Sequence, residues 1–150
     1  MKETRKMKVG DLIPEAIRDH FDCESVSVIQ FWSRSCPSCH NNMPRIVELD
    51  KEYSEKGVTF YYIHRPMSES DMNEELAMKA CTEFNITRNI ILDNTHGIGD
   101  ALGVQAWPTY FLFDEKGKLR RTAKGGFGAK MIEQALIRIF DSSLENTQGE

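Results

Sequence analysis

The chain has 150 residues, 40% hydrophobic and 28% charged: one domain's worth, burying roughly two thirds of the surface an unfolded chain exposes, with four cysteines too few and too scattered for a disulfide-built scaffold. A formal net charge of -4 argues against nucleic acid as the main partner, because phosphate binding needs a basic surface, and disfavours an anionic membrane likewise. No run reaches the roughly 18 apolar residues of a membrane span, and the basic start "MKETRKMKVG" meets no apolar h-region, so the expected location is cytoplasmic, or extracytoplasmic if a leader has been trimmed.

In chain order, "SVSVIQFW" (25–32) is a β-branched and aromatic run that predicts a buried strand. Pro37 opens a helical pattern with Met43, Ile46, Val47, Leu49 and Tyr53 toward one side, closed by Gly57. "VTFYYI" (58–63) predicts a second strand. "SESDMNEELAMKACTEF" (68–84) offers Ser or Asp caps, acids in the first turn, and Leu76, Ala77, Ala80, Cys81 and Phe84 at helical spacing; one crossover helix is expected over about 70–84. A third strand at "NIILD" (89–93) precedes a short helix around 97–103. "PTYFLF", "DEKG" and "KLRRT" (108–122) then read as strand, turn, strand, an antiparallel hairpin. Met131, Ile132, Ala135, Leu136, Ile139 and Phe140 form the apolar stripe of a last helix, and 141–150 is a polar tail expected to be disordered. The order implies a single α/β domain over 1–150, its core at about 9–140, with a mixed central sheet and helices on both faces.

The chemistry gathers in "FWSRSCPSCHNN" (31–42). Its CxxC suits a redox dithiol or half a zinc site, and CxxCH is also the c-type haem attachment motif. Structural zinc needs four protein ligands, and no second CxxC or CxxH pair exists in the chain. Haem attachment takes place outside the cytoplasm, and His40 reads as a solvated helix residue. A copper site recruiting His64 or His96 has no fixed spacing behind it. For the dithiol reading, Pro37 at the first helical position places Cys36 at the N-cap, where its sulfur accepts from the amides of Ser38 and Cys39 and feels the positive end of the helix dipole. The thiolate is the nucleophile and is favoured there. Cys39 shares the helical face and lies within disulfide reach. Cys36 is therefore expected to be partly exposed and Cys39 covered. Cys81, on an apolar helix face, reads as a buried inert thiol, and Cys23 as a loop or strand-entry residue not bonded to it. "GGFGAK" (125–130) lacks the context of a phosphate loop and reads as a turn with helix entry.

With CPSC ending the first core strand, Pro44 in the helix, and "WPT" (107–109) before the hairpin, the chain resembles the thioredoxin-like thiol-disulfide oxidoreductases. The "VGDLIPEAI" opening (9–17) and the extra helix look most like the TlpA/ResA-like branch, a likeness covering roughly 9–140. The resemblance implies a thioredoxin-like fold. It also implies catalysis by Cys36, Cys39 and a cis Pro108 packed beside Cys36, with substrate contacts at Trp107, Pro37 and Trp32. The free backbone groups of Trp107 would pair with an extended substrate segment by strand addition. It implies protein disulfide or dithiol substrates and a thiol electron donor, with no cofactor beyond the Cys36–Cys39 disulfide and no metal. The chain departs from the pattern in three places. Gln30 stands where thioredoxin buries an acid, Asn42 where ResA-like proteins carry Glu, and Ser35 where Trp commonly precedes CxxC. Losing both acids removes negative charge that opposes a Cys36 thiolate. A peroxiredoxin-like peroxidase is the alternative, since that family shares the fold and the "GDLIPE" type of opening. Ser33 sits where its motif has Ser or Thr, but Ile29 replaces the motif's proline.

Overall fold

A computed structural model describes residues 6–141; the tail expected from 141 on falls outside these, Asp141 excepted. Five strands form one mixed sheet in the order β3-β2-β1-β4-β5. They are β1 (Ser27–Trp32), β2 (Thr59–His64), β3 (Ile90–Leu92), β4 (Thr109–Phe113) and β5 (Leu119–Lys124). β1 runs parallel to β2, as β2 does to β3, while β1–β4 and β4–β5 are antiparallel. The helices are α1 (Pro37–Ser54), α2 (Glu74–Glu83), α3 (Gly97–Ala101) and α4 (Gly128–Phe140).

Strand alternation sorts the core into two layers. Val28 and Trp32 of β1, Phe60 and Tyr62 of β2, and Tyr110 and Leu112 of β4 face one cluster with the buried sides of α1, α2 and α4. Ile29 and Phe31, Tyr61 and Ile63, and Phe111 and Phe113 face a second cluster with Ile17, Ile98 and Leu102. Ile17 belongs to a 3-10 helix, Glu15–His20. The segment before it is stitched to the hairpin by Gly10 N–H to Leu119 O (2.8 Å) and Ile13 N–H to Gly117 O (3.0 Å). All six residues of β1 are buried, so the first turn of α1 stands over the centre of the sheet.

The single helix expected over 70–84 is two elements. A 3-10 turn, Glu69–Met72, ends at Asn73, which is extended (φ -70°, ψ 110°) and caps α2 by accepting the Leu76 N–H (3.0 Å). An N-cap requires non-helical backbone, so the cap itself interrupts the helix. Ala77, Ala80 and Cys81 face the core as their spacing predicts, but Leu76 is exposed.

α4 begins where a Cβ cannot fit: at Gly128 it would run into the Tyr110 ring. Alanine normally stabilises a helix relative to glycine by about 1 kcal/mol. Here the sign reverses, and Gly128→Ala is expected to cost about 1–3 kcal/mol through overpacking, read as a lower urea midpoint.

Candidate active site

Cys36 is the N-cap of α1 (φ -99°, ψ 111°), with Pro37 at the first helical position, and its Sγ accepts the Cys39 N–H at 3.1 Å. Cys36 and Cys39 form a disulfide across a Cα–Cα distance of 5.2 Å, inside the usual window. The Cys36 N–H donates to Ser33 O (3.1 Å), and the Cys36 carbonyl accepts the first helical bond from His40 (3.2 Å). Cys39 is fully buried, as expected. Cys36 is not partly exposed: at 3% it is buried too. In the disulfide its sulfur is turned to Cys39 and the helix amide, inside the cluster that also holds Trp32. Pro37 beside it is exposed.

The Trp107–Pro108 bond is cis. Pro108 is buried and Trp107 half-buried, the indole packing on the cluster that contains both cysteines. Its N–H donates to Arg65 O (2.8 Å) and its ring faces the Arg65 guanidinium at 5.8 Å. Arg65 is itself buried, bonded to His96 O (3.0 Å) and Asp100 (3.0 Å) and paired with Asp93 (3.5 Å). The Pro108 carbonyl accepts from Gly125 N–H (3.0 Å), tying this loop to the turn before α4. Among the described residues, neither backbone polar group of Trp107 has a hydrogen-bond partner. Trp32 has no exposed surface; its ring meets His64 and Phe84 edge-on, at 4.9 and 6.0 Å.

The sequence reading missed an acid. Asp71, in the 3-10 turn, is 1% exposed, and its Oδ2 accepts from Ser33 Oγ (2.6 Å), Ser35 Oγ (2.6 Å) and Met67 N–H (3.0 Å). Arg34 approaches its other oxygen at 3.6 Å. Burial pushes the Asp71 carboxyl up, but these bonds and the Arg34 charge outweigh it and hold it below the usual carboxylate range. The segment before the dithiol is thus not free of acids, although Gln30 and Asn42 replace the two family ones. In sequence Asp71 stands only among the cap and first-turn acids of the expected crossover helix; the one clue is its place in the segment inserted after β2.

Two histidines grip Arg34 from either side. Its N–H donates to Nε2 of the buried His64 (3.1 Å), and its carbonyl accepts from Nε2 of His40 (2.6 Å). Burial drives the His64 imidazole down to about 4, with Asp71 opposing and Arg34 reinforcing. Asn42, also buried, bridges α1 to the start of α4. Its amide donates to Ser38 O (2.8 Å) and Gly126 O (3.3 Å), and its oxygen accepts the Ala129 N–H (3.0 Å). Gln30 is buried and donates to the Tyr110 hydroxyl (3.4 Å).

Cys23 and Cys81 are free, and burial raises the Cys81 thiol to about 11. Among the described residues no group of three or more His, Cys, Asp or Glu side chains is placed to hold a metal, and no helix is long and apolar enough to cross a membrane.

Residues 21–136 match the family model Redoxin. The chain is 33% identical over 125 residues to thiol-disulfide oxidoreductase YkuV of Bacillus subtilis, covering 83% of this chain and 84% of the relative. It is 31% identical over 111 residues to thiol-disulfide oxidoreductase ResA of Geobacillus thermodenitrificans, covering 74% of this chain but only 61% of that protein. Among solved structures, the solution structure of a thioredoxin-like protein in the oxidised form superposes with a TM-score of 0.80 at 30% identity, covering 91% of this chain and 99% of that one. The relatives agree with the fold and with the buried disulfide at the head of α1: the chain belongs to the redoxin family, as a thiol-disulfide oxidoreductase with a thioredoxin-like fold.

Proposed function

We propose that the protein exchanges disulfides with protein substrates, with Cys36 as the attacking thiolate and Cys39 as the resolving thiol. The observation that carries this is the N-cap geometry. The Cys36 sulfur already accepts the Cys39 amide, a contact that strengthens when the sulfur is charged. In the reductive direction the Cys36 thiolate attacks a substrate disulfide, forming a mixed disulfide and expelling one substrate thiolate. Cys39, deprotonated, then attacks Cys36, releasing the second substrate thiolate and leaving the Cys36–Cys39 disulfide. A thiol donor reverses that oxidation, and the two cysteines are the only redox group the cycle uses.

The unpaired backbone groups of Trp107 are the docking edge for an extended substrate segment. Pro108 leaves that edge open by contributing no N–H, exposed Pro37 borders it, and Trp32 supports it from the core. In a reducing cytoplasm the cycle runs as a reductase. Reduced protein is expected to accelerate cleavage of a disulfide-bonded model protein by dithiothreitol. Rapid peroxide consumption without that acceleration overturns the exchange reading in favour of a peroxidase. A reduction potential near the strongly oxidising end, roughly -120 mV, overturns the reductive direction.

A further inference from the structure

Asp71 takes no part in the exchange steps, and stability alone is a weak reason to bury a carboxylate. Burying a carboxylate carries a desolvation penalty, and apolar residues of similar volume often do as well or better. Apart from the Met67 N–H (3.0 Å), its contacts converge on the residues that lead into Cys36. Ser33 and Ser35 both donate to Oδ2 at 2.6 Å. Between them, Arg34 approaches Oδ1 at 3.6 Å and donates to Ser70 O at 2.7 Å. Three successive residues are pinned to one short turn from elsewhere in the chain. The Cys36 N–H closes the connection by donating to the carbonyl of Ser33 (3.1 Å), whose hydroxyl Asp71 holds.

That anchorage has a chemical consequence. A sulfur accepts helix amides only while its residue keeps the extended backbone of an N-cap, as Cys36 does at φ -99°, ψ 111°. We propose that Asp71 is a positioning residue for the dithiol: through the hydroxyls of Ser33 and Ser35 its carboxylate fixes the backbone that delivers Cys36 to the N-cap of α1. The inference rests on Cys36 being the attacking thiolate. It makes the insert between β2 and α2, rather than the sheet alone, responsible for the reactivity of the nucleophile.

A carboxylate can also act on a thiolate by charge alone, and the two roles have opposite signs. Like charge disfavours the thiolate, so a purely electrostatic Asp71 opposes Cys36 reactivity, whereas a positioning Asp71 supports it. The experiment is the pH profile of iodoacetamide alkylation of Cys36 in the reduced full chain, with the labelled peptide identified by mass spectrometry. The double variant Ser33→Ala/Ser35→Ala keeps the carboxylate and cuts both ties. It is expected to alkylate about fivefold more slowly at pH 7, the loss of a typical N-cap contribution, with its midpoint moved to higher pH. Asp71→Ala is expected to move the midpoint the same way although it deletes a negative charge.

A double variant that titrates like wild type, or a midpoint that falls in Asp71→Ala, overturns the positioning role. Should Asp71→Ala fail to fold by circular dichroism, the double serine variant decides alone, since its substitutions remove only two hydroxyls. Failure of the underlying reading looks different. A wild-type protein without a fast-alkylating Cys36 overturns the exchange mechanism and the inference together, whereas a fast Cys36 that ignores all three substitutions overturns only the inference.

Discussion

Cys39→Ser protein is expected to accumulate mixed disulfides with partner proteins, visible as reducible higher bands on a non-reducing gel, while Cys36→Ser accumulates none. The asymmetry follows from the geometry at the head of α1. Cys36 keeps the N-cap amide contact that stabilises its thiolate when Cys39 is replaced, so attack on a substrate disulfide survives. What disappears is the escape: no second thiol remains 5.2 Å away, Cα to Cα, to expel the substrate. Cys36→Ser leaves Cys39, which has no exposed surface and lies within the helix rather than at the N-cap whose amide contact favours a thiolate. Turnover in the disulfide-reduction assay should be lost in both variants, by at least about a hundredfold, because the complete cycle needs both sulfurs. Trapping by both variants to the same extent contradicts the assignment of roles, and trapping by neither contradicts exchange on protein substrates.

The dithiol was legible in sequence because its physics is local. CPSC specifies an N-cap, a first-turn proline and a second sulfur three residues on, and neighbouring strands are legible in the same way, since the alternation of Val28, Ile29, Gln30 and Phe31 places each side chain on its layer without reference to the rest of the fold. The groups around the dithiol were not legible. Asp71 reaches Ser35 across 36 positions and His64 reaches Arg34 across 30, and no periodicity encodes such meetings. Asn42 shows the same limit. As a replacement for a family glutamate it read as a lost charge, yet its carboxamide does what a carboxylate cannot, donating to two carbonyls while accepting from the first turn of α4. The exposure expected of Cys36 failed because it came from the reactivity of the thiolate, whereas the structure holds the disulfide. The 3-10 turn went unseen because Asn73, read as one more polar helix residue, caps instead.

Lowering the pH from 7 to 4.5 is expected to cost the protein stability through His64 in particular. The imidazole is fully buried, and its Nε2 must be unprotonated to accept the Arg34 amide. Burial, the largest influence, brings it from 6.5 down to about 4. In the unfolded chain the same side chain takes up a proton near pH 6.5. Between these values only the unfolded state binds that proton, so stability falls as pH falls from about 6.5 to 4, and levels off below 4, where the folded state protonates as well. The difference amounts to about 3 kcal/mol. Asp71 and Asp114, both held below the usual carboxylate range, have the opposite linkage. Their contribution is present above the unfolded carboxylate value and is lost as pH falls through the still lower folded one, so most of it acts below the histidine window. His64→Gln separates the two effects, because a glutamine oxygen can accept from Arg34 N–H without titrating. Urea unfolding at pH 7 and 4.5 should show wild type losing about 2 kcal/mol more than the variant over that interval, since the titration is incomplete at both ends. Equal losses in the two proteins would mean that His64 takes up its proton over the same pH range folded and unfolded, which is incompatible with a buried Nε2 that must stay unprotonated to accept the Arg34 N–H.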